Sequence, residues 1–185
     1  MFSHSLGDGA ALAPLEPWHA EQFAAAVEGA REHLRPWIPF ATRVVDVETA
    51  RELLQRYATK HAEDTGAMYG IWIDEVLSGG TLFRTFDAHM GVTEVGVWLV
   101  PTAEGRGLVK AAVTYMIDYA FRVRGLSRVE WFCSSANERS KAAAARLGMT
   151  YEGTLRSSFL VDGRRHDSEV WAVLAEDWLE GRAPS

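Results

Sequence analysis

Gly105-Arg106-Gly107 stands directly before the helical pattern that begins at Leu108, with Lys110 in its first turn and Pro101 closing the strand-like run Val92 to Val100. Two glycines let a backbone turn sharply and approach an anion, and the unpaired amides and positive dipole end of a helix's first turn then face that charge. With Arg106 and Lys110 nearby, strand, glycine loop and helix form a phosphate cradle. A plain turn uses the same glycines. The segment lacks both the six-residue dinucleotide fingerprint and the P-loop pattern, so dinucleotides and nucleoside triphosphates are poor fits.

Other reactive side chains narrow the chemistry. The one cysteine, Cys133, follows Val129, Trp131 and Phe132 with no adjacent histidine, which reads as a buried thiol rather than a nucleophile. It cannot close an intrachain disulfide, which points to a reducing, cytoplasmic setting. The six histidines, His4, His19, His33, His61, His89 and His166, have neither i,i+4 pairing nor an H-x-E cluster. No metal site is expected.

These residues need a scaffold. An extended start at Gly9 to Leu15 leads through Pro17 into an alanine-rich helix ending near Arg35, which Pro36 and Pro39 break. Asp46 is a good N-cap for a second helix through about His61, with Ala50, Leu53, Leu54 and Tyr57 on one apolar face. Met68 to Ile73, Leu77 to Phe86 and Val92 to Val100 read as a three-stranded antiparallel meander. A helix from Leu108 to about Arg124 stops at Gly125. Then come a strand at Arg128 to Ser134, a helix capped by Asn137 and ending before Gly148, and strands at Met149 to Leu160 and Ser168 to Leu174 around an Asp162-Gly163 turn. The predicted class is α+β: a mixed, mostly antiparallel sheet with helices on it.

The chain has 185 residues, 24% of them charged and 48% hydrophobic, with 25 acidic against 19 basic and a formal net charge of −6. No linker or repeat interrupts it, so residues 1–185 are expected to form one domain. No basic-then-apolar leader occupies Met1 to Pro14 and no run of eighteen apolar residues occurs, so no membrane span is expected. The acidic balance disfavours nucleic acid and would draw in basic peptides or amines.

Five ordered blocks then acquire a joint meaning: Gly96-Val97-Trp98-Leu99-Val100-Pro101, Glu104-Gly105-Arg106-Gly107-Leu108, Ala120-Phe121, Asn137-Glu138-Arg139-Ser140 with Gly148-Met149, and Tyr151-Glu152-Gly153-Thr154-Leu155-Arg156. Together they resemble the GNAT superfamily of N-acetyltransferases, and more specifically its RimJ/RimL-type branch, which acetylates protein N-terminal amines and various small amines. His33 to Phe40 is similar to that branch's loop between its first two helices, so the resemblance covers nearly the whole chain.

The resemblance implies helices on both sheet faces and a strand carrying Trp98, Leu99 and Val100 that splays from its neighbour. That strand's free backbone groups would pair with the pantetheine arm of acetyl-CoA, and an amide of Leu99 or Val100 would polarise the thioester carbonyl. Amides from Gly105 through Arg106, Gly107, Leu108 and Val109 would take the pyrophosphate, and Asn137 and Ser140 would touch the pantetheine side. Asn137 is also a plain N-cap. Glu94, eleven residues before Gly105, matches the family's frequent glutamate base, and apolar neighbours would raise its pKa. A solvated strand-edge carboxylate is its bland alternative. Trp37, Phe40 and Phe83 would shape the amine pocket together with the hairpin near Asp162.

The sequence also departs from the family pattern. Many members carry a tyrosine seven residues after the asparagine, where this chain has Ala144, which leaves Ser140, water or no group to protonate the leaving thiolate. Thr102 stands where Gln or Arg is frequent, and Met149 replaces a usual Phe. The implied enzyme joins acetyl-CoA to a primary amine, a protein N-terminus or a small molecule, by direct attack in a ternary complex, and a homodimer is compatible with it. The competing reading is a catalytically degenerate acyl-CoA-binding regulatory module; a small-molecule resistance enzyme would share the chemistry and differ in acceptor.

Overall fold

The computed structural model describes residues 3–161 and 163–181. One eight-stranded sheet runs in the order β1 (His4–Gly7), β2 (Ala10–Pro14), β3 (Ala67–Ile73), β4 (Val76–Asp87), β5 (Val92–Leu99), β6 (Arg128–Ser134), β8 (Arg164–Leu174) and β7 (Thr150–Val161). Every neighbouring pair is antiparallel except β5 with β6, which is parallel. Alternate residues of the central strands feed two cores, as the two-residue period of a strand requires. Tyr69, Ile71, Phe83, Val95 and Leu99 enter one core, and Met68, Leu82 and Trp98 enter the other. Helices α1 (Ala20–Gly29), α2 (Arg31–Leu34) and α3 (Val47–Ala62) cover the Trp98 side. Helices α4 (Leu108–Asp118), α5 (Glu138–Arg146) and α6 (Ala175–Glu180) cover the Leu99 side. The mixed, mostly antiparallel α+β class and the helices on both faces are as expected.

Local signals held where short-range chemistry decides. Asp46 Oδ1 accepts the Thr49 amide at 2.8 Å while Thr49 Oγ1 accepts the Asp46 amide at 3.1 Å, a reciprocal cap that starts α3. Asn137 Oδ1 accepts the Ser140 amide at 3.1 Å and starts α5. Three expectations need correction. The first helix is interrupted at Ala30, where φ is −114°, and the half-buried Arg31 donates to the carbonyls of Ala41 and Val44, pinning the loop after α2. The long helix after the glycine loop ends as α-helix at Asp118 and continues as a π-turn over Tyr119–Val123. The last strand begins at Arg164 rather than Ser168. The hairpin strand β1 and the helix α6 were not read from the sequence at all. Gly163 lies in a turn, whereas Asp162 lies outside the described residues.

Two irregularities in the sheet shape the region around Glu94. The parallel ladder is short, pairing Val92 with Arg128, Thr93 with Val129 and Glu94 with Glu130. Past Glu94 the strands part, β5 staying on β4 as far as Leu99 and β6 staying on β8 as far as Ser134. The anticipated splayed strand is therefore present. The second irregularity is a bulge in β4: Phe83 faces Val95 and Thr85 faces Glu94, which leaves Arg84 as the extra residue.

Candidate active site

Where β5 leaves β6, a cavity of about 1140 Å³ opens. Of the residues singled out from sequence, Trp37, Phe40, Glu94, Trp98, Leu99, Gly105, Gly107, Leu108, Val109, Asn137 and Ser140 all border it. One end meets the glycine loop and α4. Gly105 and Gly107 both have φ of +75°, a left-handed conformation that glycine adopts without strain, and a side chain at either would meet only open space. Gly107 caps α4 with no side-chain hydrogen bond, and the first amide bonded back to it is that of Ala111. The amides of Leu108, Val109 and Lys110 thus lack intrahelical partners at the positive end of the helix dipole. The first turn carries no acidic residue, and Lys110 adds positive charge. This cradle fits a pyrophosphate. Glu104 beside it is held by Arg139 at 2.5 Å and His33 at 2.9 Å.

Three sequence-selected residues lie elsewhere. Phe83 is buried in the Leu99-side core against Tyr69, Phe86 and Tyr119 and does not border the cavity. The alternation of a strand explains this, since its neighbours Leu82 and Arg84 face the cavity instead. Arg106 turns away to donate to the carbonyl of Asp8 at 3.0 Å. The Val100 amide is already committed to the Ser78 carbonyl at 2.9 Å. Antiparallel ladders alternate the direction of their backbone groups, so Trp98 and Val100 spend theirs on β4, and the Leu99 and Val97 amides point toward the gap left by β6. Leu99, not Val100, is the amide available to a carbonyl in the gap. The Trp98 ring instead packs edge-on to Phe23 and Phe40, each 5.8 Å away, on the wall that carries Trp37.

Glu94 sits at the fork itself, 15% exposed, with Oε1 2.8 Å from Arg84 Nε. Burial raises its pKa above the ordinary carboxylate range and Glu130 across the parallel ladder adds to the rise; Arg84 and Lys60 oppose it. A carboxylate that binds a proton more readily than usual, at the junction of a cavity, can accept one from an incoming group. Ser140 Oγ accepts the indole N–H of Trp131 at 3.0 Å, so the hydroxyl stands toward its neighbours as a donor, with Cys133 beside it. Burial pushes the Cys133 thiol up, against nucleophilic use.

Sequence reading missed the wall opposite β5. Leu53, Arg56, Tyr57 and Lys60 border the cavity at i, i+3, i+4 and i+7 of α3, joined by Arg43 and by the bulged Arg84. Tyr57 packs against the Trp98-side core as its apolar-face spacing predicts, and Arg56 and Lys60 beside it were the available signal for a cationic wall. Around Glu94 the lining is therefore cationic, contrary to the attraction for basic amines inferred from net charge. Among the described residues no group of three or more His, Cys, Asp or Glu side chains is arranged to hold a metal ion, and no helix is long and apolar enough to cross a membrane.

Known proteins resemble this chain over most of its length. A family model described as an acetyltransferase (GNAT) domain matches residues 11–150. YdaF of Bacillus subtilis, a candidate ribosomal N-acetyltransferase, is 29% identical over 179 residues, covering 96% of this chain and 98% of that protein. The crystal structure of a probable acetyltransferase superposes with a TM-score of 0.89 at 29% identity, covering 96% of this chain and 99% of the other. RimL, a ribosomal L7/L12 α-N-protein acetyltransferase solved with coenzyme A, shares the fold with a TM-score of 0.86 at 21% identity, covering 93% and 97% of the two chains.

Proposed function

The chain belongs to the GNAT acetyltransferase family, and from that premise we propose that it transfers the acetyl group of acetyl-CoA to the α-amine of a protein N-terminus in the cytoplasm. The observation that carries this reading is the fork at Glu94, where a buried carboxylate stands between a pyrophosphate cradle at one end of the cavity and an aromatic and cationic wall at the other. Acyl transfer from a thioester to an amine needs a held cofactor and a route for the amine proton, and the cradle and the carboxylate offer both beside the wall.

In the proposed reaction, amides from Gly105 and Gly107 through Leu108 and Val109 hold the pyrophosphate, and the Leu99 N–H donates to the thioester carbonyl. Glu94 receives the proton of the acceptor amine, directly or through water, so that the nitrogen lone pair is free to attack. The N–C bond forms, the C–S bond breaks, and the leaving thiolate takes a proton from solvent or from Ser140. Ser140 lies one helical turn before Ala144 on the same face of α5, which places a hydroxyl near the position that a tyrosine takes in many relatives. The α-amine is favoured as acceptor because its ordinary pKa of about 8 is far easier to bring to neutrality than that of a lysine, about 10.4, and the Lys60 and Arg84 charges push it further down. The ribosomal acceptors in the names of YdaF and RimL are consistent with this choice.

The test is free-thiol release from acetyl-CoA against N-terminal peptides of ribosomal proteins, polyamines and aminoglycosides, with Glu94→Gln alongside. Turnover on peptides that collapses in the variant is expected. Turnover confined to polyamines or aminoglycosides would overturn the choice of acceptor.

A further inference from the structure

The end of the cavity that would receive the amine carries four cationic side chains, Arg43, Arg56, Lys60 and Arg84, against one carboxylate, Glu94. Their pairing is uneven. Arg84 is engaged by Glu94, and Lys60 Nζ donates to the Arg84 carbonyl at 2.7 Å. The guanidinium groups of Arg43 and Arg56 make no salt bridge or hydrogen bond among the described residues, and both residues are exposed. Two guanidinium groups left unpaired beside a reaction site are a recognition surface for anions, because guanidinium presents a planar fork of donors that matches a carboxylate.

The shape of the surface restricts the anion further. A second hollow of about 660 Å³ adjoins the cavity along the outer side of α3, and the two share Phe40, Arg43, Leu53 and Arg56. A small amine would not reach along both, whereas an extended chain would. The second hollow is also lined by Arg51, Glu48 and Glu52, with Arg51 3.8 Å from Glu48, so its charge is mixed, and Arg43 and Arg56 stand on the rim that the two hollows share.

We infer that the acceptor is a peptide N-terminus bearing Asp or Glu among its first few residues, with the acidic side chain held by Arg43 and Arg56. This rests on the N-terminal acetylation reading and adds to it the sequence class selected. It also reverses the expectation from overall charge: the chain's net −6 is distributed elsewhere, and at contact range the local cations dominate. Polycationic acceptors would meet like charge at the mouth.

Three peptides identical except for Asp, Asn or Lys at the second and third positions test this. Two readouts are taken on the intact protein: kcat/KM by thiol release with acetyl-CoA, and binding of each peptide to the CoA-loaded protein by fluorescence anisotropy. The Asp peptide is expected to exceed the Lys peptide by about tenfold or more in both, with the gap narrowing at high salt. Arg56→Glu is expected to reverse the order, and Arg43→Gln, a milder change, to shrink it; melting curves verify that both variants fold. Equal values for the three peptides with turnover intact would overturn the charge preference alone. A binding preference for Asp with no turnover of any peptide would overturn the N-terminal acetylation reading and leave the anion site standing. Neither turnover nor a binding preference would overturn both.

Discussion

Arg84 Nε lies 2.8 Å from Glu94 Oε1 although the register sets Thr85, not Arg84, opposite Glu94. Arg84 stands on the same face of β4 as Leu82, and its guanidinium lies on the carboxylate at the point where β5 and β6 separate. The register Leu82 with Gly96 and Phe83 with Val95 leads on to Arg84 beside Glu94, so strand parity aims the arginine and the bulge adds Thr85 opposite the same residue. The arginine and the proposed base form one pair, and each has consequences that can be measured.

Glu94→Gln should lower kcat by about 100-fold or more, the usual worth of a positioned base. Stability should move the other way. A carboxyl whose folded pKa lies above its unfolded value contributes stability below the unfolded pKa and loses it as pH rises through the folded one. At neutral pH the ionised, buried Glu94 is therefore a cost that the amide removes. Melting at pH 7 should show the variant at or above the wild-type temperature, with its advantage shrinking as pH falls toward 4.

Arg84→Gln tests the partner. Arg84 is the main group holding the Glu94 pKa down, so its loss must raise that pKa further. The acid limb of the pH profile of kcat/KM should move toward neutral pH, while the plateau above it is reached at higher pH than in the wild type. An unmoved limb would mean that the titrating base is not Glu94.

Cys133→Ala should retain activity within about twofold, because a thiol whose pKa is raised by burial is a poor nucleophile and direct attack needs none. Ping-pong kinetics, or loss of activity in this variant, would reject the ternary-complex route.

Much of this site was legible because its signals are local. Gly105 and Gly107 before an apolar-periodic helix, Asp46 three residues before Thr49, and Asn137 three before Ser140 are decided within a single turn of chain. The cationic wall was not legible in the same way, since Arg43, Arg56 and Arg84 lie on three different elements and meet only after folding. Register hid the rest. Strand parity decides that Leu82 and Arg84 border the cavity while Phe83 does not.

That parity gives a prediction for Phe83. Phe83→Leu should cost about 1–2 kcal/mol of stability through lost core packing against Phe86 and Tyr119. The KM for the acceptor peptide should stay within about twofold of wild type. A large rise in that KM with little loss of stability would return Phe83 to the pocket wall.

Gly107 separates the cradle from the rest of the mechanism. At φ +75° and ψ 3°, with open space where a side chain would project, substitution brings no clash and only the strain of a left-handed residue, about 1–2 kcal/mol for alanine. Relieving that strain swings the loop amides off the phosphate position, so Gly107→Ala should raise the KM for acetyl-CoA by about tenfold and leave the KM for the peptide unchanged. Asparagine tolerates the left-handed region better than alanine. Gly107→Asn should therefore fall between wild type and Gly107→Ala in acetyl-CoA KM, an order that conformational strain predicts and simple added bulk would reverse.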